Sequence, residues 1–165
     1  SLGLGMTVLQ LAEDIKNGMG WEELTQHRAP QLIANTYPFF TLDTLEYLQK
    51  GGRIGKVTAM AGTMLQIKPM LRGDEDGKIV VCGKIRGRKR AITELAEMYA
   101  KKVVDAEHQR VAISHGDCLE DAEFVASELR RRLNVQTIHI NYVGPVIGNH
   151  SGPGTMALFF LGTQR

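Results

Sequence analysis

Cysteine is scarce in this chain: Cys82 and Cys118 are the two among 165 residues. One possible disulfide is a poor framework for a chain this long. The pair has no zinc or redox spacing, and no nucleophile signature surrounds either thiol. Long hydrophobic runs are lacking as well. Nothing approaches the ~20 apolar residues that cross a bilayer, and Met6 to Leu11 is too short and too polar at its edges for a signal peptide. An excess of one charge is also missing, since the formal net charge is +2, too small to require nucleic acid. These absences predict a cytoplasmic protein without a metal or dithiol centre. What is present is ordinary globular material, 43% hydrophobic and 23% charged, enough to bury one sizeable core. Ser1-Leu2-Gly3-Leu4-Gly5 carries no initiator methionine and reads as a glycine-spaced turn running into a helical pattern, so a fragment of a longer protein is expected.

Hydrophobic periodicity predicts a first helix at about 7 to 17, through Val8, Leu11, Ala12 and Ile15, with Gly18 and Gly20 at its end. A second helix is expected over 21 to 29, disturbed or ended by Pro30. Phe39-Phe40 reads as a short strand, and Asp43 as the cap of a helix through Leu45 and Leu48 that Gly51-Gly52 ends. The small, apolar stretch 57 to 65 suits a tightly packed helix. Residues 67–71 and 78–85 flank the acidic turn Gly73-Asp74-Glu75-Asp76-Gly77 and predict a hairpin. A helix over 88–106, a strand at 111–114, a helix over 119–133, a strand at 135–142 and a last apolar run at 155–161 complete the pattern. Strands alternating with helices, plus one hairpin, predict an α/β (α+β) domain with a mixed β-sheet packed by helices. Residues 1–35, helical and without a strand, look like the edge of another lobe, leaving 36–165 as the main lobe.

The segment Gly144 to Gly154 holds four glycines and two prolines in eleven residues. A loop so constrained would present Asn149, His150 and Ser151 at its bend. Backbone N–H groups, an imidazole and a hydroxyl would together suit a carboxylate or phosphate. A tight loop whose histidine only bonds its neighbours is the structural alternative. Lys50-Gly51-Gly52-Arg53-Ile54-Gly55 places cations beside glycines but completes neither a Walker loop nor a Gly-x-Gly-x-x-Gly fingerprint; a helix C-cap with the arginine paired to a nearby acid explains it better. Lys84, Arg86, Arg88, Lys89 and Arg90 put five cations into seven residues. They suit phosphates, anionic lipid or an acidic partner, or form a solvated strand end, and no aromatic residue is interleaved for base stacking. Ser114, His115 and Asp117 cannot form a triad from adjacent strand positions, which face opposite ways. Asp117 reads as the cap of the next helix. His27, His108 and His139 show no metal-like spacing.

Taken together, these loops carry a resemblance. Asp43-Thr44-Leu45-Glu46-Tyr47-Leu48-Gln49-Lys50-Gly51-Gly52-Arg53-Ile54 resembles the signature of the DegV family. Ile67-Lys68-Pro69, Lys84-Ile85-Arg86-Gly87, Gly144-Pro145-Val146-Ile147-Gly148 and Gly152-Pro153-Gly154 follow in that family's order, and Ser1-Leu2-Gly3-Leu4-Gly5 is similar to a segment near its middle. The resemblance implies a DegV-like two-lobe fold, represented here mainly by its C-terminal lobe, with the 144–154 loop returning toward a ligand site. It implies a carrier of a long-chain fatty acid, with no other cofactor, that presents the acyl carboxylate to a separate ATP-dependent fatty acid kinase and delivers acyl phosphate to phospholipid synthesis. His150 and Arg53 match the family residues of the carboxylate network, with Asn149, Ser151, Gly148 and Gly152 around them; Asn149 stands where the family more often has Thr. Arg86, with Lys84 and Arg88, would face a transient anionic membrane surface or a partner. Such a protein binds and does not catalyse. The rival readings are a hydrolase or transferase using His150 and, third, a nucleic-acid-binding module through residues 84–90. Loss of a neighbouring lobe would favour self-association through Val8, Leu11, Ile15 and Trp21.

Overall fold

The computed structural model describes residues 1–54 and 66–163. Its elements run α1 (Leu2–Lys16), α2 (Trp21–Glu23), a π-helical turn (Leu24–Arg28), α3 (Ala29–Asn35), β1 (Thr36–Thr41) and α4 (Glu46–Lys50). They continue with β2 (Ile67–Gly73), β3 (Ile79–Arg86), α5 (Arg88–Lys102), β4 (Arg110–His115), α6 (Leu119–Leu133), β5 (Thr137–Tyr142), α7 (Pro145–Ser151) and β6 (Met156–Leu161). One six-stranded sheet has the order β3-β2-β1-β6-β4-β5. Among the described residues only β4 and β5 pair in parallel, and α6 makes the crossover such a pair requires. The mixed α/β architecture expected from the alternation of periods is therefore the one found.

Alternation along β6 builds the core from both sides of the sheet. Met156, Leu158 and Phe160 point into the larger cluster with Ile92, Leu95 and Tyr99 of α5 and Val125, Ala126 and Leu129 of α6. Ala157 and Phe159 point the other way, to Met6 of α1 and Ala112 of β4. A central strand buried on both faces reads as a continuous apolar run, which is what MALFFL is. Phe160 anchors the larger core, edge-on to Tyr99 with ring centres 4.9 Å apart, a favoured aromatic geometry. A third cluster, Leu42, Leu48, Ile54 and Leu71, seats α4 beside the sheet.

Local structure departs from the pattern in three places and narrows it in a fourth. Residues 2–6 are helix, not turn: α1 lies so close to β6 that a Cβ at Gly3 would stand 2.9 Å from Phe159 Cδ1, so this glycine serves packing. Of the two outcomes expected at Pro30, the helix is disturbed there and not ended. The proline sits in the first turn of α3, and the carbonyl it cannot bond belongs to Gln26, inside the π-helical turn, where the i−4 ladder is already interrupted. Asp43 does not cap α4; Thr44 Oγ1 accepts from the Glu46 amide at 3.2 Å, and Asp43 is paired elsewhere. Residues 144–154 are largely the helix α7, because Pro145 suits a first helical position. The helix expected over 57–65 lies outside the described residues. The hairpin is present, β2 pairing antiparallel with β3 through a bulge at Met70/Leu71.

The N-terminal helices are held by ion pairs as well as packing. Arg110 of β4 grips Glu13 of α1 with both guanidinium amines, and Arg28 bonds Asp14 at 2.7 Å. Their outer face is apolar: Leu4, Val8, Ile15 and Ile33 are exposed, and Trp21 is 76% exposed.

Candidate functional site

Two short helices meet beyond the ends of β1 and β6. The last turn of α7 carries His150 and Ser151, and the C-terminal end of α4 carries Gly51. Gly51 has an ordinary φ of −77°, so the turn does not demand glycine there; Gly52, at φ +69°, supplies the left-handed residue. What demands it is His150. A Cβ on Gly51 would lie 3.0 Å from His150 Cε1 and closer still to Nδ1. The same two segments touch again where Gly152 lies flat against the Tyr47 ring, with room for no side chain.

His150 Nδ1 and Ser151 Oγ are both shielded from solvent and have no hydrogen-bond partner among the described residues. Such atoms are uncommon, because each buried polar group left unpaired costs about 1–3 kcal/mol. Both residues line a cavity of about 500 Å³. Its walls are mainly apolar, from Leu2, Phe40, Leu48, Ile79, Ile147 and Phe159. The volume falls within the roughly 300–1,000 Å³ usual for small-molecule sites, which combine apolar walls with a few placed polar groups. Arg53 also lines the cavity, and its Nη1 donates to the Gly51 carbonyl at 2.7 Å, bracing the loop that faces His150.

Other residues singled out from the sequence lie differently. The amides of Gly148 and Gly152 donate along α7 to Gly144 and Gly148, each at 2.8 Å, so the expected backbone donors are used within the helix. Asn149 is exposed and does not line the cavity. His115 is buried, its Nδ1 accepting the Cys118 amide at 3.2 Å and its ring 4.4 Å from that of Tyr142. It therefore steadies the start of α6, a task expected of Asp117. Ser114, on the opposite side of β4, lines the cavity. His27, His108 and His139 are exposed. Burial pushes the Cys118 thiol up, away from the reactive thiolate. Among the described residues no three His, Cys, Asp or Glu side chains gather as metal ligands, and no helix is long and apolar enough to cross a membrane.

The basic cluster divides. Lys84 and Arg86 are exposed on β3, an edge strand, and with Lys89 and Arg90 they border a second hollow of about 650 Å³ on the α5 side of the sheet. None of these four has a carboxylate at ion-pair distance among the described residues, although Lys89 lies over the Phe124 ring. Arg88 does not share that surface. Its guanidinium turns inward, donating through Nε to Asp121 at 2.8 Å and through Nη1 to the Gly154 carbonyl at 2.6 Å.

Comparison with known proteins places this geometry in context. The family described as uncharacterised protein, DegV family, matches residues 1–163. A DegV domain-containing protein of Clostridium perfringens is 38% identical over 99% of the chain and 56% of its own length. The solved structure described as fatty acid binding of a DegV family protein from Thermus thermophilus has a TM-score of 0.82 at 32% identity, covering 99% of this chain and 58% of that one. The Streptococcus pneumoniae fatty acid kinase (Fak) B3 protein loaded with linoleic acid has a TM-score of 0.85 at 17% identity, covering 98% and 56%, a likeness of fold. The chain thus spans little more than half the length of the proteins it matches.

Proposed function

The chain belongs to the DegV family, and from that premise we propose that its apolar cavity takes the acyl chain of a long-chain fatty acid while His150 and Ser151 receive the carboxylate. One observation carries this reading: His150 and Ser151, whose Nδ1 and Oγ are buried and without a hydrogen-bond partner among the described residues, both line an apolar cavity. A hydroxyl and an imidazole N–H can each donate to a carboxylate oxygen, satisfying both partners at once. The acyl chain supplies most of the affinity, at ~0.8 kcal/mol per buried methylene. The head site then has only to orient the reactive end.

The role is that of a carrier and not a catalyst. The fatty acid is offered, still bound, to an ATP-dependent kinase, and the acyl phosphate passes to phospholipid synthesis in the cytoplasm. Lys84 and Arg86, exposed and free of ion pairs among the described residues, suit a transient anionic membrane surface during ligand exchange. Residues 1–35 belong with a second lobe, for which the exposed Leu4, Val8, Ile15 and Trp21 are the contact face.

Native mass spectrometry of the intact protein purified from cells, paired with His150→Ala, tests the reading. The expected result is one bound long-chain fatty acid, retained by the variant, with kinase acceptance reduced much more than lipid binding. Recovery of no lipid, together with no uptake of labelled palmitate, would overturn it. Hydrolysis or group transfer without an added kinase would favour an enzyme using His150 instead.

A further inference from the structure

Arg88 lies outside the cavity yet joins the segments that form its polar end. The first residue of α5, it is 23% exposed at its side chain and uses the whole guanidinium. Nε and Nη2 meet Asp121 Oδ2 of α6 at 2.8 and 2.7 Å, and Nη2 also points at Cys118 Sγ, 3.4 Å away. Nη1 donates to the Gly154 carbonyl at 2.6 Å and stands 3.6 Å from Asp43 Oδ1, which Lys68 bonds at 2.6 Å.

Gly154 and Asp43 govern the two helices of the site. Gly154 follows Ser151 by three residues in the turn that leaves α7, and Asp43 precedes α4 by three. They are in close contact: a Cβ on Gly154, where φ is +73°, would lie 2.6 Å from Asp43 Cγ. On its inner side the turn is already tied, by the Gly154 amide to Gly116 at 2.7 Å and by Thr155 Oγ1 to the Gly152 carbonyl at 2.6 Å. Arg88 ties the outer side and connects it to the Asp43 turn. Since α4 and α7 meet through Gly51 against His150 and Tyr47 against Gly152, a change in either turn alters where the imidazole stands.

We propose that Arg88, bridging Gly154 and Asp43 from a base fixed on Asp121, is a positioning residue for the His150–Ser151 carboxylate site. A planar fork can meet a carbonyl and two carboxylates in fixed directions, which an ammonium cannot do. The proposal rests on the fatty-acid reading of the cavity. It assigns to Arg88 an internal duty that its place within a basic surface run conceals.

The test compares palmitate with methyl palmitate, which fills the same apolar cavity without an anionic head. The intact protein should bind the acid more tightly than the ester. Arg88→Met, keeping the fold and the apolar stem, should lower palmitate affinity about tenfold, the effect of losing one well-placed charged hydrogen bond, while ester affinity stays within about twofold. Equal loss of both affinities would make Arg88 a structural prop, and an unchanged acid-to-ester ratio would remove it from the site; either overturns the inference. A native protein that binds neither, or binds both alike, refutes the fatty-acid reading instead. Should Arg88→Met fail to fold, Arg88→Lys keeps the charge without the fork and should still lower the ratio; the native ratio in that variant would equally overturn the proposal.

Discussion

Gly51 and His150 occupy space that neither could share with a larger neighbour: the imidazole packs directly on the glycine Cα, where a Cβ would lie 3.0 Å from Cε1 and nearer still to Nδ1. The two glycines of the Gly-Gly pair thus do different work. Gly51→Ala is expected to push His150 off its position and lower discrimination between palmitate and its methyl ester, with a small change in melting temperature. Gly52→Ala meets no neighbour within 4 Å among the described residues but must adopt φ +69°, costing about 1 kcal/mol of stability while discrimination survives. Paired binding and thermal denaturation measurements check both. The reverse pattern would show that His150 tolerates displacement.

Surface charge should act on exchange and not on occupancy. Lys84→Glu with Arg86→Glu is expected to slow transfer of palmitate to anionic vesicles at low salt, each native cation contributing about 1 kcal/mol near such a surface. Salt should shrink the difference, as the Debye length contracts to ~8 Å at physiological ionic strength. Bound-lipid stoichiometry should be unchanged. Stopped-flow transfer rates equal to those of the native protein at low salt would assign these residues to a solvated edge strand, where lysine and arginine also discourage strand addition.

Acid should loosen the N-terminal helix. Hydrogen bonds from Arg110 hold the Glu13 carboxyl below its ordinary 4.5, and although burial pulls Asp14 upward, bonds from Arg28 and Gln10 outweigh it and bring that carboxyl below 3.8. Groups whose folded pKa is depressed contribute stability that is complete above their unfolded values and is lost as pH falls through the folded ones. Protection of the α1 amides, taken relative to the intrinsic exchange rate at each pH, should therefore be unaffected down to about pH 5 and fall below about pH 4. Arg110→Met should flatten that dependence. An unchanged profile in the variant would show that packing of Met6 and Gly3 alone seats the helix.

The exposed apolar face of the N-terminal helices should drive association of the 165-residue chain. Sedimentation over a range of concentrations is expected to show reversible oligomers, with Trp21 less accessible to quencher as concentration rises. Val8→Lys with Ile15→Lys should restore the monomer. A chain that is monomeric throughout, with Trp21 freely quenched, would show that this face tolerates water unaided.

Patterns that repeat within one element were legible in the amino-acid sequence. The three-and-four spacing of Ile92, Leu95, Ala96 and Tyr99 in α5 and the turn residues between β2 and β3 each specify local structure whatever surrounds them, because side-chain direction follows backbone period, whereas the continuous apolar run of β6 marks a buried element without distinguishing strand from helix. His150 and Arg53, singled out by their glycine-framed loops, both line the cavity. Tertiary structure decided the rest, wherever a residue's partner is distant along the chain. Gly51 looked like half of a helix cap until His150, far along the sequence, proved to fill the space beside it. Asp43 was placed to cap α4 and instead meets Lys68 and Arg88. Arg88 stood in a run of cations as one more surface charge. It turns inward because Asp121 and the Gly154 carbonyl converge there, and no local periodicity records which donors and acceptors a fold will bring within 3 Å.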